Sequence, residues 1–170
     1  MAEKQQKFDP YGVLQALDRH RVSYVVVGGF ARVIQGTEEI TRGIDIAPST
    51  REENLPRLDA ALRDIGASRV DGRELAVDEG SITEQPVIAL TTDCGEVNVV
   101  PTPAGTRGYD DLRRRANREP LGRGVRPSVA SIGDLARMLS ALGSEDHFSE
   151  LKQLRRLVEL ERGRTRVLER

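Results

Sequence analysis

The sequence predicts an α/β protein with a helical C-terminal portion, and three observations carry that prediction. Tyr24-Val25-Val26-Val27 is a short β-branched run of the kind that becomes a buried strand. Two further strand-like runs, Pro86–Thr92 and Glu96–Val100, are joined by Asp93-Cys94-Gly95, a hairpin signal. Helical segments separate the early strands, whereas beyond Pro101 and Pro103 helical periodicity dominates.

Each element has its own local reason. Asp9 as a cap, Pro10 at the first helical position and the apolar stripe Val13, Leu14, Leu17 predict an opening helix. His20 sits at its end, where a cation suits the helix dipole. Gly28-Gly29 stops the first strand, and Phe30 to Ile34 read as a short helix. Ile44 to Ala47 form a second strand ended by Pro48. Ser49 or Thr50 then caps a helix whose first turn carries Glu52 and Glu53. Leu55, Leu58, Ala61, Leu62 and Ile65 are its buried face, and Gly66 ends it. Ser68 to Gln85 is polar and irregular, with room for one short strand or helical turn. Tyr109 to Asn117 predict a helix. Ser131, with Asp134 three residues on, opens another that reaches Leu142 and breaks at Gly143. Leu151, Leu154, Leu157, Val158 and Leu160 mark a final amphipathic helix that frays into Arg-rich sequence. Residues 1–108 are expected to form the core and 109–170 a helical portion packed on it, one compact domain overall.

Composition narrows the function classes. At 170 residues the chain is long enough to bury a sizeable core. No apolar run approaches the ~20 residues that cross a bilayer, and MAEKQQKFDP lacks the apolar centre of a signal peptide. A cytoplasmic location without membrane attachment is the expectation. Cys94 is the single cysteine, which excludes an intrachain disulfide and a cysteine zinc cluster. Nothing basic in its immediate sequence would lower its pKa. With 26 basic and 27 acidic residues the chain is not a globally basic nucleic-acid binder. Arg107, Arg113, Arg114, Arg115, Arg118, Arg123 and Arg126 nevertheless crowd one stretch. They read either as a patch that meets phosphates or as a solvated helix face and loop. The second is favoured because no aromatics interleave for base stacking.

The chemistry-bearing pattern is Gly28-Gly29 leaving a buried strand, followed by Gly43-Ile44-Asp45 entering the next. Two glycines at a strand-to-helix turn let backbone N–H groups approach a triphosphate closely, with a helix N-terminus behind them. Acidic residues at alternate positions of the following strand would share one face and could hold divalent cations.

The run VVVGGFARVIQGTEEITRGIDIAPS resembles the nucleotidyltransferase superfamily, whose signature is Gly-Gly or Gly-Ser followed, about a dozen residues on, by Asp-x-Asp. More closely it is similar to the minimal bacterial group that contains the abortive-infection toxin AbiEii and the MenT toxins. The likeness continues through EENLPRLDAALRDIGA, TTDCGEVNVVPTPAGTRGYDDL and SIGDLARMLSALG, and so spans Tyr24 to Leu157. The resemblance implies a mixed, twisted sheet flanked by helices, with a cleft at the strand ends. It also implies transfer of an NMP from an NTP to a hydroxyl, with three carboxylates holding two Mg²⁺ ions. The acceptor in toxin-like members can be the 3′ end of tRNA. Nucleotide contacts are implied at Gly28, Gly29, Thr41 and Arg42.

The departures fall on the chemistry. The first carboxylate of Asp-x-Asp aligns with Gly43, the second with Asp45 and the third with Asn98. A lysine and a Gly-Arg-Pro-Lys-Asp run of the toxin-like members align with Leu139 and with Gly143 to His147. Asn98 offers only a carbonyl, and hard Mg²⁺ favours charged oxygen. Glu96, two residues before Asn98 on the same strand face, is the candidate replacement, and Glu38, Glu39 and Asp146 are further acids that could enter the cleft; the favoured reading of all four is as surface carboxylates. His147 beside Asp146 reads as an exposed helix-start residue.

Two functions follow from the resemblance. One is a degenerate member with an incomplete metal site (Asp45, with weak help from Asn98 and Glu96) that binds a nucleotide, nucleic acid or protein partner with little or no transfer. The other is an active metal-dependent transferase using Asp45 and Glu96. A third reading, from the residues alone, is an interaction module that dimerises through its C-terminal helix.

Overall fold

The structure, a computed structural model, describes residues 7–143 and 145–168, the side chains of 165–168 excepted. Most of MAEKQQ KFDP, Ser144 and the last two residues of the Arg-rich tail thus lie outside the described residues. Seven strands form one mixed sheet in the order β3-β4-β5-β2-β1-β7-β6. β1 (Tyr24–Val27) is fully buried at its centre, antiparallel to β2 (Gly43–Pro48) and parallel to β7 (Ser128–Val129). β2 runs parallel to β5 (Gly95–Val99), which forms a hairpin with β4 (Ile88–Thr92). The short strands β3 (Ser68–Arg69) and β6 (Asn117–Arg118) close the two edges.

Apolar periodicity places the helices. α1 (Pro10–Arg19) buries Val13, Leu14, Ala16 and Leu17 and packs with α3 (Leu55–Asp64). α2 (Gly28–Gln35) follows β1 without a break, lies on β2 and meets α6 (Ile132–Leu142), against which α7 (Phe148–Leu168) packs. α4 (Glu79–Glu84) is closed by a reciprocal Asp78/Ser81 capping box, and α5 (Tyr109–Leu112) is a single turn.

The structure corrects several local expectations. α3 begins at Leu55, not at Ser49 or Thr50, so Glu52 and Glu53 lie in the preceding turn. Asn54 sets that start. Its buried side chain accepts from the Ser23 N–H and donates to the Ser23 and Ser49 carbonyls, tying the turn to the start of β1. The Tyr109–Asn117 helix stops after one turn, where residues 113–115 turn the chain toward β6, whose pairing with β7 the sequence did not announce. Leu160, expected on the buried face of the last helix, is exposed, whereas Leu154 is fully buried. Asp9 precedes α1 but makes no side-chain cap. Ser131 does cap α6, accepting from the Asp134 N–H. No helix among the described residues is long and apolar enough to cross a membrane.

Candidate functional site

At the end of β1 the chain turns directly into α2, and Gly28 makes the turn. Its φ is +72°, and a Cβ there would lie 2.3 Å from Asp45 Oδ2. Glycine is required twice over, for the left-handed backbone and for the close approach of a carboxylate. Gly29 is under no such constraint: a Cβ would meet nothing nearer than the Arg32 guanidinium at 3.5 Å. Above this turn opens a cleft of about 280 Å³. Val27, Gly28, Gly29, Arg32 and Asp45 line one side, and Leu135, Met138, Leu139 and Leu142 of α6 form an aliphatic wall. His147, in the 3-10 turn before α7, reaches the rim.

Two pairs of polar groups at this cleft are engaged with each other. Asp45 pairs in register with Asn98 across β2 and β5, and the Asn98 amide donates to Asp45 Oδ1 at 2.9 Å. Burial pushes the Asp45 carboxyl above its usual range; the Asn98 bond and Arg32 oppose that rise, and the Glu96 charge adds to it. Arg32 is held by Glu39. Its Nε donates to both Glu39 oxygens at 3.1 and 3.0 Å, and a terminal nitrogen donates at 2.8 Å. Their side chains are only 13% and 10% exposed, so the pair is nearly dry. The Thr37 hydroxyl donates to the same carboxylate.

Gly43 occupies the remaining position. It lies in register with Glu96, and a Cβ built on it would stand 2.4 Å from the Glu96 carbonyl oxygen and 2.8 Å from its Cβ. Backbone fills the space a side chain would need. Among the described residues no three His, Cys, Asp or Glu side chains converge as a metal cluster. A two-cation centre needs several charged oxygens facing one point. Here one Asp45 oxygen is engaged by an amide, and Gly43, two residues earlier on the same strand, has no room for a side-chain donor. These residues do not fit a two-cation centre.

No family model matches the chain, and no curated protein matches it. Solved structures do. The antibiotic-resistance factor ANT(2″)-Ia is similar with a TM-score of 0.58 at 14% identity, over 94% of this chain and 92% of that one. The lincosamide antibiotic adenylyltransferase LnuA, in a lincomycin-bound crystal structure, gives 0.60 at 16% identity over 89% and 99%. A candidate nucleotidyltransferase from Thermotoga maritima gives 0.57 at 17% identity over 99% and 100%. The chain has a nucleotidyltransferase fold.

Within that fold the expected site residues separate. Gly28, Gly29 and Asp45 meet at the cleft, and Asn98 joins them through Asp45. Glu96 is exposed, and its carbonyl and Cβ, rather than its carboxylate, stand against Gly43. The Thr41 hydroxyl donates to the Gly43 carbonyl, and Arg42 is exposed, its carbonyl accepting from the Glu96 N–H; neither lines the cleft. Glu39, read as a surface acid, is instead the buried partner of Arg32, a residue that went unnoticed in the sequence. The signal was available: Arg32 lies one helical turn after the glycine pair, and Glu39 lies in the following loop. Cys94 is half-buried, and burial together with Asp9 and Asp93 pushes its thiol up, which leaves it unreactive.

The two carboxyls give opposite pH signatures. Burial favours a raised pKa for Glu39, but Arg32, Thr37 and His147 together hold it below its ordinary 4.5. Its stabilisation is therefore present above that value and is lost as pH falls through the depressed folded pKa. Asp45 is raised above 3.8, so its ionised form costs stability at neutral pH. Asp45→Asn should raise the unfolding temperature at about pH 7 and gain less in acid, since an amide oxygen still accepts from Asn98 without a desolvated charge. Thermal unfolding of wild type and variant from about pH 7 to about pH 4 tests this. A lower unfolding temperature for the variant at neutral pH would contradict it.

Proposed function

We propose that the protein uses its nucleotidyltransferase-fold cleft to bind a nucleotide without metal and with little or no nucleotidyl transfer. The observation that carries this reading is the backbone packed into the Gly43 position, where the signature has its first carboxylate. The Arg32–Glu39 pair adds to it, because it leaves no free guanidinium for a triphosphate, and Asp45 is a single carboxylate where a cation centre needs several. The aliphatic wall of Leu135, Met138 and Leu139 suits the flat face of a base, and Gly28-Gly29 presents backbone N–H groups. The AbiEii and MenT toxin-like grouping belongs to the same reading and rests on the stretch from Tyr24 to Leu157.

Calorimetric titration with ATP, CTP, GTP and UTP, each with Mg²⁺ or Mn²⁺ and again with EDTA, tests it. One nucleotide should bind equally in both conditions, and labelled NTP incubated with bulk tRNA should transfer nothing. A second reading draws on Glu96, whose charge is felt at Asp45: an active transferase in which these two carboxylates share one ion. Metal-dependent binding, with label transfer that Glu96→Ala abolishes, would establish that reading and defeat the first. Absence of any nucleotide binding would defeat both and leave an interaction module.

A further inference from the structure

A second pocket lies at the opposite end of β1. Tyr24 opens the strand and Val27 closes it, which puts the two sites about 10 Å apart at ~3.3 Å per residue, and their linings share no residue. This pocket, of about 200 Å³, is bounded by Asp18, Ser23, Tyr24, Tyr109, Arg118 and Arg126. Its lining is almost wholly polar, in contrast to the aliphatic wall of the first cleft.

Two features make it a built site. The Tyr24 hydroxyl is fully buried and has no hydrogen-bond partner, although Tyr24 itself is only 7% exposed. Buried hydroxyls are normally paired, and an orphan costs stability unless something arrives to meet it. Arg118 and Arg126 stand beside it. Arg118 donates from Nε to the Arg126 carbonyl, which fixes one guanidinium over the pocket, and neither side chain has an ion-pair partner among the described residues. Three other arginines of this stretch are engaged. Arg115 pairs with Asp111 and Asp134, Arg113 with Asp110, and Arg123 lies over the Tyr11 ring at 4.3 Å. Aromatic faces do interleave with this stretch, supplied by Tyr11 from another element and by Tyr109.

We propose that this pocket binds a phosphate monoester of a small polyhydroxylated molecule. Arg118 and Arg126 hold the phosphate oxygens, the Tyr24 hydroxyl donates to one of them, and Asp18 at the rim accepts from a ligand hydroxyl. Two unpaired arginines beside an orphan donor match a compact dianion. Asp18 disfavours a bare anion and favours one that carries a donor. The volume admits a sugar phosphate, well short of the ~300–1,000 Å³ of drug-sized sites.

Amide chemical shifts of the full chain, followed during titration with inorganic phosphate, ribose 5-phosphate and ribose, test the proposal. Ribose 5-phosphate should move Ser23, Tyr24, Arg118 and Ser128 while leaving Gly28 and Gly29 unmoved. It should bind more tightly than phosphate, and ribose should not bind. Arg118→Gln and Arg126→Gln should each weaken binding by about tenfold, and Asp18→Asn should narrow the gap between ribose 5-phosphate and phosphate. Tyr24→Phe separates a binding role from a structural one. Affinity should fall about fivefold while the unfolding temperature holds or rises, because the hydroxyl it removes has no partner to lose. No shifts by about 10 mM ribose 5-phosphate, shifts confined to the Gly28 cleft, or binding of a 5′-phosphorylated oligoribonucleotide alone would overturn the proposal.

Discussion

Gly43→Asp, the substitution that restores the acidic pair of the signature, should destabilise the protein and leave it inactive. The collision belongs to Cβ, which would sit 2.4 Å from the Glu96 carbonyl oxygen, so Gly43→Ala should cause most of the same loss. Backbone oxygen in a parallel ladder cannot rotate away as a side chain can, and β2 and β5 would have to separate where Glu96 N–H meets the Arg42 carbonyl. Overpacking of this kind costs about 3 kcal/mol, or roughly 6–12 °C in unfolding temperature for a chain of this size. Asn98→Asp supplies the contrast, because it keeps the packing and changes only charge. It should cost about 1.5–3 kcal/mol in EDTA through loss of the amide bond to Asp45 and like-charge repulsion. Mn²⁺ should recover part of that loss for Asn98→Asp and none for Gly43→Ala. Thermal unfolding of the three variants with and without metal decides it. A Gly43→Asp protein as stable as wild type that gained metal-dependent transfer would show that the strands yield and that the site is a catalyst lacking one residue.

The elements that position this cleft were legible in the sequence because they rest on local physics. A buried β-branched run, a glycine pair and capped amphipathic segments need no distant partner to be recognised, and the β1–α2–β2 corner and the α6 cap formed as expected. The misses share a different cause. β6 and β7 are two residues each and gain strand character only by pairing across a loop. The α3 start was displaced because Asn54 serves Ser23, a partner 31 residues away. At the site, the absent carboxylates were visible as letters, but the reason Gly43 cannot accept one is the approach of another strand's backbone. Glu39 passed for a surface acid because burial is decided by what packs over it.

Arg32→Met should be among the most damaging single substitutions away from the apolar core. It leaves the Glu39 carboxylate, 10% exposed, without the guanidinium that contacts both of its oxygens. Breaking a buried ion pair from one side costs about 3–5 kcal/mol, whereas Arg32→Met with Glu39→Met should recover much of the loss. The penalty should shrink in acid. The depressed Glu39 pKa means the pair's contribution is present at neutral pH and lost as pH falls through the folded value, so wild type and variant should converge there. Glu39→Gln carries the functional half of the prediction. It releases Arg32, which lines the cleft beside Gly28 and Gly29, and raises the local charge by one. Nucleotide affinity in EDTA should then rise by about tenfold, equivalent to ~1.4 kcal/mol and well within the ~4 kcal/mol of a close charge pair at an effective dielectric of 20. Urea unfolding across pH for the Arg32 variants and calorimetry on Glu39→Gln measure the two halves separately. Unchanged stability in Arg32→Met would show that the pair is solvated. Unchanged affinity in Glu39→Gln would show that the ligand reaches the glycine turn without meeting Arg32, through backbone N–H groups alone.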